Sequence, residues 1–397
     1  MRRAAGTFAA ALAITLLPAA AQGATRPLPA DFLGIAPQTA VFDDDTAWMS
    51  AARIGSIRAP VHWAGVESSP GNYNWQGLRG VVRAGARAGI PVMPFLYGTP
   101  PWLSPHQTNL PVGGGATRVW TDFLTAAVRR FGPGGSFWAE NPDLPEVPVR
   151  RWQIWNEPNF HYFTTPASPA RYAKLLRASS RAIKSVDPGA QVITGGLFGK
   201  PAEKPPRAMP AAQFLNRLYR VRGIKRFFDG VAVHPYAARP KLLAQLVSGV
   251  RRVSLRNRDR GVNLFITEMG WGSQAGSDVA FEVGPKGQAR QLWRAYRYLI
   301  RNRLRLRLKT AYWFTWKDVT GTPCSFCDST GLFHAGDGFS PKPAWGAFVK
   351  MSRTRIRVRK RRKCAQRNVR ARRKCRRARA RPDRRPRRRS SSVRRAG

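Results

Sequence analysis

The chain has 397 residues, with 69 Lys+Arg against 21 Asp+Glu and a formal net charge of +48. Hydrophobic residues make up 43% and aromatics 11%, enough to bury a substantial core, which excludes a wholly disordered chain and, despite 36 Gly and 32 Pro, a collagen-like one. Four cysteines are too few for a scaffold built on disulfides.

The chain opens with Arg2 and Arg3, continues in an apolar run over 8–17, and then reads Pro18 and Ala19-Ala20-Ala21. A charged start, a short apolar stretch and a small-residue cleavage site predict a secretory signal peptide over 1–24. The competing reading is an uncleaved anchor, but the run is too short to span a bilayer comfortably. No later segment reaches the roughly 18 continuous apolar residues of a spanning helix. The mature chain is therefore expected to lack a transmembrane segment and to be secreted, extracellular or associated with the cell wall.

Over 28–351, short apolar runs alternate with amphipathic helical patterns. The candidate strands are 32–35, 56–61, 91–96, 151–155, 191–194, 230–234, 264–267 and 310–316. Each is rich in β-branched or aromatic residues without steady polar alternation, as expected of strands covered on both faces. Between them, Val119, Phe123, Ala127 and Phe131 repeat at spacing four, and Ser168-Pro169 starts a helix carrying Tyr172, Leu175, Leu176 and Ile183. Asp187-Pro188-Gly189 stops that helix, and Leu292, Tyr296, Leu299 and Ile300 form another apolar stripe. Eight strands with eight helical segments fit an α/β fold of the TIM type, a single (β/α)₈ barrel, better than a doubly wound sheet. There is no G-x-G-x-x-G fingerprint and no Walker A sequence to suggest nucleotide binding.

Toward the end, Cys324 and Cys327 form a C-x-x-C, and Cys364 and Cys375 lie further on. A redox or zinc reading lacks a second C-x-x-C and a suitably spaced His pair. In an exported protein, a disulfide within each couple is the expected arrangement, although connectivity cannot be read from spacing. The segment 352–397 is Arg-rich: from Arg353 onward it holds 24 Lys+Arg and one acid, Asp383, and few apolar residues follow Val358. Such a tail is expected to be disordered on its own. It can hold anionic polymers, including nucleic acid, wall polymers or acidic polysaccharide, or it is a solvated extension of an Arg-rich chain. No aromatic residue interleaves its arginines, so base stacking is not indicated.

In a (β/α)₈ barrel the chemistry sits where the strands end at the C-terminal face. The fourth candidate strand ends in Trp155-Asn156-Glu157-Pro158-Asn159 and the seventh in Ile266-Thr267-Glu268-Met269-Gly270-Trp271. A carboxylate at such a position is costly unless paired or hydrogen-bonded. Two of them, from strands facing each other across the barrel mouth, supply what glycosidic cleavage needs: a neutral acid and an ionised nucleophile or base. Repulsion between them separates their pKa values.

Trp-Asn-Glu-Pro-Asn followed by Thr-Glu-Met-Gly-Trp resembles the clan A (β/α)₈ retaining glycoside hydrolases, and among them the β-xylosidase/iduronidase-type and endo-glycanase (cellulase-type) families. The resemblance spans most of 28–351. It implies that Glu157 is the general acid/base and Glu268 the nucleophile. It further implies that Asn156 meets the sugar 2-hydroxyl, that Arg58 stands beside the nucleophile, and that His234 and Tyr236 end the sixth strand beside the pair. Trp316 is implied as the platform under the sugar at the cleavage point, and the aromatic residues His62, Trp63, Tyr97, Trp102, Trp271 and Trp313 crowd the same face. Sugar rings stack their C–H faces on such planes, although core packing competes for Trp63, Trp102 and Trp313. Strand three, ending Leu96-Tyr97-Gly98-Thr99-Pro100-Pro101-Trp102, lacks the polar sugar-binding cluster of some relatives.

The resemblance thus implies an exported enzyme that hydrolyses β-O-glycosidic bonds of an oligo- or polysaccharide through a glycosyl-enzyme intermediate, with no metal and no organic cofactor required. Two other readings compete with it: a barrel that binds polysaccharide without cleaving it, and a wall- or polyanion-binding surface protein acting through its basic tail.

Overall fold

Strands that read as continuous apolar runs need cover on both faces, and the chain supplies it by closing the sheet on itself. The structure, a computed structural model, describes residues 25–324 and 326–357. The expected signal segment, Cys364, Cys375 and nearly all of the basic tail lie outside the described residues. Leu28–Thr354 forms one compact unit, and the chain ends belong to another, in which Thr25–Arg26 pairs antiparallel with Ile356–Arg357.

The barrel strands are β1 (Leu33–Ile35), β2 (Ile57–His62), β3 (Val92–Tyr97), β4 (Arg151–Ile154), β5 (Gln191–Thr194), β6 (Gly230–His234), β7 (Asn263–Ile266) and β8 (Leu308–Trp313). Each is parallel to its neighbours, and β8 pairs with β1 to close the ring. Helices α1 (Asp43–Ala51), α2 (Gln76–Arg87), α3 (Gly114–Phe131), α4 (Pro169–Val186), α5 (Ala211–Tyr219), α6 (Pro240–Arg256), α7 (Gly284–Leu306) and α8 (Pro343–Ser352) follow the strands in turn. This is the (β/α)₈ barrel expected from the alternation of patterns.

Local chemistry sets the helix ends. Ser168 Oγ accepts from Arg171 N at 3.3 Å and Pro169 opens α4, while Asp187 Oδ1 accepts from Gly189 N at 2.9 Å just beyond its end. The buried stripe of α3 runs through Trp120, Phe123, Leu124, Ala127, Val128 and Phe131, and Val119 sits at its half-buried edge.

Inside the barrel, Ala36, Met93, Ile193, Ala232, Phe265, Tyr312 and Phe314 pack as one apolar layer. Below it, Asp31 takes Arg151 at 2.6 Å and Lys309 at 2.9 Å. At the other end of the same strands the interior turns polar: Arg58, Gln153, Thr194, His234 and Thr267 are all fully buried. Buried polar groups must be paired, and that requirement shapes the site.

Candidate active site

Glu157 follows β4 and Glu268 follows β7, and a carboxylate oxygen of each lies within 4.8 Å of the other. Their residues are 5% and 7% exposed, so the pair sits in a recess that solvent barely touches. The backbone around Glu157 is held in the left-handed region, with φ 70° at Trp155 and φ 38° at Glu157. Each such conformation costs about 1–3 kcal/mol and persists only where its surroundings over-determine it. Here Trp155 N donates to Leu96 O at 2.8 Å, Trp155 Nε1 to Phe163 O at 2.7 Å, and Phe160 N to Glu157 O at 2.9 Å.

Arg58, from β2, organises the floor. Its Nη1 donates to Glu268 Oε1 at 2.7 Å, its Nη2 to Asn156 Oδ1 at 2.9 Å and its Nε to Gln153 Oε1 at 2.6 Å. The guanidinium lies 3.7 Å from the centroid of the Phe95 ring. The second oxygen of Glu268 accepts from Tyr236 Oη at 2.9 Å. Because Arg58 occupies Oδ1 of Asn156, the amide Nδ2 is the donor left for a ligand. His234 Nδ1 lies 2.6 Å from Glu157 Oε1 and 3.5 Å from Glu268 Oε2. Its Nε2 is sealed without a hydrogen bond and faces Gly196, where a Cβ would stand 1.9 Å from it. Only glycine at 196 lets the imidazole keep this seat.

The two carboxyls therefore have different surroundings. Burial, then the charge of Glu268, pushes Glu157 well above the usual carboxylate range. Burial also raises Glu268, but Arg58 and the Tyr236 hydroxyl oppose it, so Glu268 ionises first. Burial, then Arg58, lowers His234 well below its ordinary value and keeps it neutral. Glu157, His234 and Glu268 are also the one trio among the described residues with the spacing of metal ligands. Arg58 is the cation already placed against Glu268 there.

Arg58, Asn156, Glu157, His234, Tyr236 and Glu268 thus converge from four of the eight strands, β2, β4, β6 and β7. The tryptophans do not join them. Trp316 is fully buried and turned away, with Nε1 donating to Asp45 Oδ1 at 2.7 Å and its ring packed on Phe333 and Trp345. The strand-eight ring that reaches the site is Phe314, edge-on to Tyr236 at 6.3 Å. Trp271 is fully buried, with Nε1 donating to Ala237 O at 2.9 Å, and offers no face to a ligand. The expectation of Trp271 and Trp316 as sugar platforms is corrected accordingly: each side of their rings is occupied by protein. Trp102 is half-buried, edge-on to Trp63, and donates Nε1 to Glu67 O at 2.8 Å. Cys324 and Cys327 are bonded to each other, and Phe326 between them packs edge-on against Tyr236 at 5.4 Å.

Sequence reasoning missed Gln153 and Gly196. Gln153 Nε2 donates to Thr194 O at 3.0 Å and to Thr267 Oγ1 at 3.3 Å, so one amide ties β4 to Arg58, to the end of β5 and to the end of β7. Its signal was a polar side chain set between the apolar Trp152 and Ile154 within the strand.

No family model matches the chain. Over 80 residues it is 37% identical to a β-xylosidase of Geobacillus stearothermophilus, a match covering 20% of this chain and 14% of that protein. Among solved structures it is similar to a family 39 glycoside hydrolase from Bacteroides cellulosilyticus WH2, at 20% identity and TM-score 0.61, over 82% of this chain and 63% of that one. It is similar also to a monomeric β-xylosidase from Caulobacter crescentus CB15, at 19% identity and TM-score 0.62, over 84% and 70% of the two chains. What the chain shares with these glycoside hydrolase structures is the (β/α)₈ barrel fold. The chain spans less than two thirds of the first of these structures and a small part of the curated relative.

Proposed function

We propose that the protein is a retaining hydrolase of β-O-glycosidic bonds in an oligo- or polysaccharide. The observation that carries this reading is the close carboxyl pair in unlike surroundings. Double displacement needs the two carboxyls about 5–5.5 Å apart and inversion about 6.5–9.5 Å, so oxygens within 4.8 Å support retention. Glu157, held protonated, gives its proton to the glycosidic oxygen while ionised Glu268 attacks the anomeric carbon and the C–O bond breaks. Asn156 Nδ2 donates to the 2-hydroxyl as oxocarbenium character develops. The Tyr236 hydroxyl fixes the attacking carboxylate. Glu157, now ionised, removes a proton from water, which cleaves the glycosyl-enzyme ester and frees Glu268. Each step uses groups of this chain and water.

The relatives named β-xylosidases make a β-xyloside the first substrate to try. Product stereochemistry followed by NMR should show net retention, and inversion would reject the mechanism. Glu268→Gln should abolish turnover. Glu157→Gln should lose most activity on poor leaving groups and keep some on activated aryl glycosides. Equal, mild effects of the two changes would end the assignment.

The reading extends to export of a 28–351 catalytic unit. The Arg2-to-Ala21 pattern and the Cys324–Cys327 disulfide support it, the latter because disulfides persist in oxidising compartments. No helix among the described residues is long and apolar enough to cross a membrane. The 352–397 segment is proposed as a tether to anionic polymer; removing it should weaken binding to anionic wall polymers and flatten its salt dependence.

A further inference from the structure

Tyr236 reaches Glu268 through one hydrogen bond, so the place of its hydroxyl depends on what walls its ring. Phe198, backed by Phe160 at 4.8 Å, lies 6.2 Å away, Phe314 6.3 Å and Phe326 5.4 Å. Phe326, the nearest of these walls, comes from the connection between β8 and α8. Behind it stacks Phe281, from the connection between β7 and α7, at 4.6 Å. On the far side of Phe326 the chain is fastened by buried polar groups. Ser329 Oγ donates to Glu282 Oε1 at 2.5 Å, and Ser329 O accepts from Lys342 Nζ at 2.8 Å, itself 2.7 Å from Asp318 Oδ1. On the near side the ties are the Cys324–Cys327 bond and the Asp328 carboxylate, which accepts from Gly321 N at 2.9 Å and Thr322 N at 3.1 Å. Phe326 lies inside the ring that the disulfide closes, and Cys327 packs beside Tyr236 on the apolar layer that contains Phe314. Both cysteines are half-buried, so a small reductant can reach them.

A short covalent ring leaves the Phe326 backbone few conformations, and opening it returns them. Resting on the proposed glycosidase reading, we propose that Phe326 is a positioning residue for the nucleophile: the Cys324–Cys327 bond holds its ring against Tyr236, Tyr236 thereby keeps its hydroxyl on Glu268, and reduction of the bond by a dithiol lowers catalysis while substrate binding stays nearly intact. In that reduction a thiolate of the dithiol attacks one sulfur, and the other leaves as a thiolate and takes a proton. The second thiol then displaces the first sulfur in the same way. The disulfide gains two electrons and two protons, and the dithiol becomes a disulfide. Misplacing an orienting group by about 1 Å can cost on the order of 10²-fold in rate. The charged and titratable groups facing Glu268 are Arg58 from β2, Tyr97 ending β3, Glu157 beyond β4, and His234 and Tyr236 from β6. Of these, Tyr236 is the one whose ring Phe326 contacts. Its hydroxyl and Arg58 hold Glu268 down against burial, so a displaced hydroxyl lets Glu268 titrate higher.

The test uses the full chain carrying Cys364→Ser and Cys375→Ser, so that Cys324 and Cys327 are its only cysteines. An aryl β-xyloside is the substrate and dithiothreitol the reductant, with thiol titration to confirm that the bond has opened. Reduction should lower kcat on the order of tenfold, leave KM within about twofold and move the acid limb up by roughly one pH unit, and reoxidation should reverse all three. Phe326→Ala should show the same loss while oxidised, and reduction should add nothing to it, because both changes act through one contact. Phe326→Tyr, which keeps the ring, should recover most of the loss. Two titrated thiols with kcat and acid limb unmoved overturn the proposal, as does a reduction effect undiminished in Phe326→Ala. If no glycoside is hydrolysed, the Glu268 carboxyl is titrated by ¹³C NMR in both redox states. An upward shift on reduction upholds the coupling and overturns the glycosidase reading, and an unmoved titration overturns the coupling itself.

Discussion

Arg58 Nη1 donates to Glu268 Oε1 at 2.7 Å, joining residues 210 positions apart in the sequence. The guanidinium is wholly buried, so water does not screen the pair as it would a surface one. Its charge opposes the burial that otherwise lifts Glu268. The expected consequence concerns the acid limb of the pH–rate profile, where Glu268 must lose its proton. Arg58→Lys keeps a charge but cannot reach Glu268, Asn156 and Gln153 together. Glu268 then titrates higher, and the acid limb should move up by roughly one to three pH units. A limb that stays in place would show that Arg58 does not set the ionisation of Glu268.

Gln153 is expected to act through Arg58. Gln153→Leu keeps the bulk but strips Arg58 Nε of its acceptor at 2.6 Å and Thr194 O of its donor at 3.0 Å. Leaving buried polar groups unsatisfied costs about 1–3 kcal/mol of stability. Thermal or denaturant unfolding should register that loss. Steady-state kinetics should show a fall in kcat larger than any rise in KM, with the acid limb displaced in the direction expected for Arg58→Lys. Loss of stability with an unmoved pH profile would reduce Gln153 to packing.

Gly196→Ala probes the proton donor from outside the site. The added methyl would stand 1.9 Å from His234 Nε2, so the imidazole must swing away from Glu157. A neutral His234 steadies Glu157 in both of its protonation states, and a displaced one does not. The loss should therefore appear where acid catalysis matters: kcat/KM on poor leaving groups down on the order of 10²-fold, with activated aryl glycosides affected far less. The alkaline limb should shift as well, since it reports the proton on Glu157, which burial and Glu268 hold above the ordinary carboxylate range. Equal losses on both substrate types would place the damage elsewhere.

The barrel was legible because parallel strands covered on both faces leave continuous apolar runs; 191–194 and 230–234 form strands with the expected bounds, and no other strand end departs from its expected place by more than three residues. The carboxyl pair was legible because Glu157 and Glu268 interrupt such runs where strands end. Other features had no local signal. Phe198 meets Phe160 only through the long-range hydrogen bonds of Asn159. Gly196 is explained only by an imidazole from the next strand. Trp316 and Phe314 are two positions apart, and which of them reaches the site depends on how the chain leaves β8, a matter of φ and ψ that residue type does not reveal.

That last distinction yields a direct comparison. If Trp316 held sugar, Trp316→Phe would raise KM and leave stability nearly intact. The structure instead commits its indole N–H to Asp45 Oδ1, a buried carboxylate that also caps the start of α1 by accepting from Phe42 N at 2.9 Å. Removing the indole donor leaves Lys317 at 3.5 Å as the partner of that oxygen. Trp316→Phe is therefore expected to lower unfolding free energy by about 1–3 kcal/mol, as a buried acceptor loses its donor, with KM within about twofold of the parent. Phe314→Ala, beside Tyr236, should do the reverse in kinetics, lowering kcat/KM on the order of tenfold or more by loosening the hydroxyl that holds Glu268. Urea unfolding and steady-state kinetics on the same two proteins decide it. A raised KM with unchanged stability for Trp316→Phe would return the platform role to Trp316.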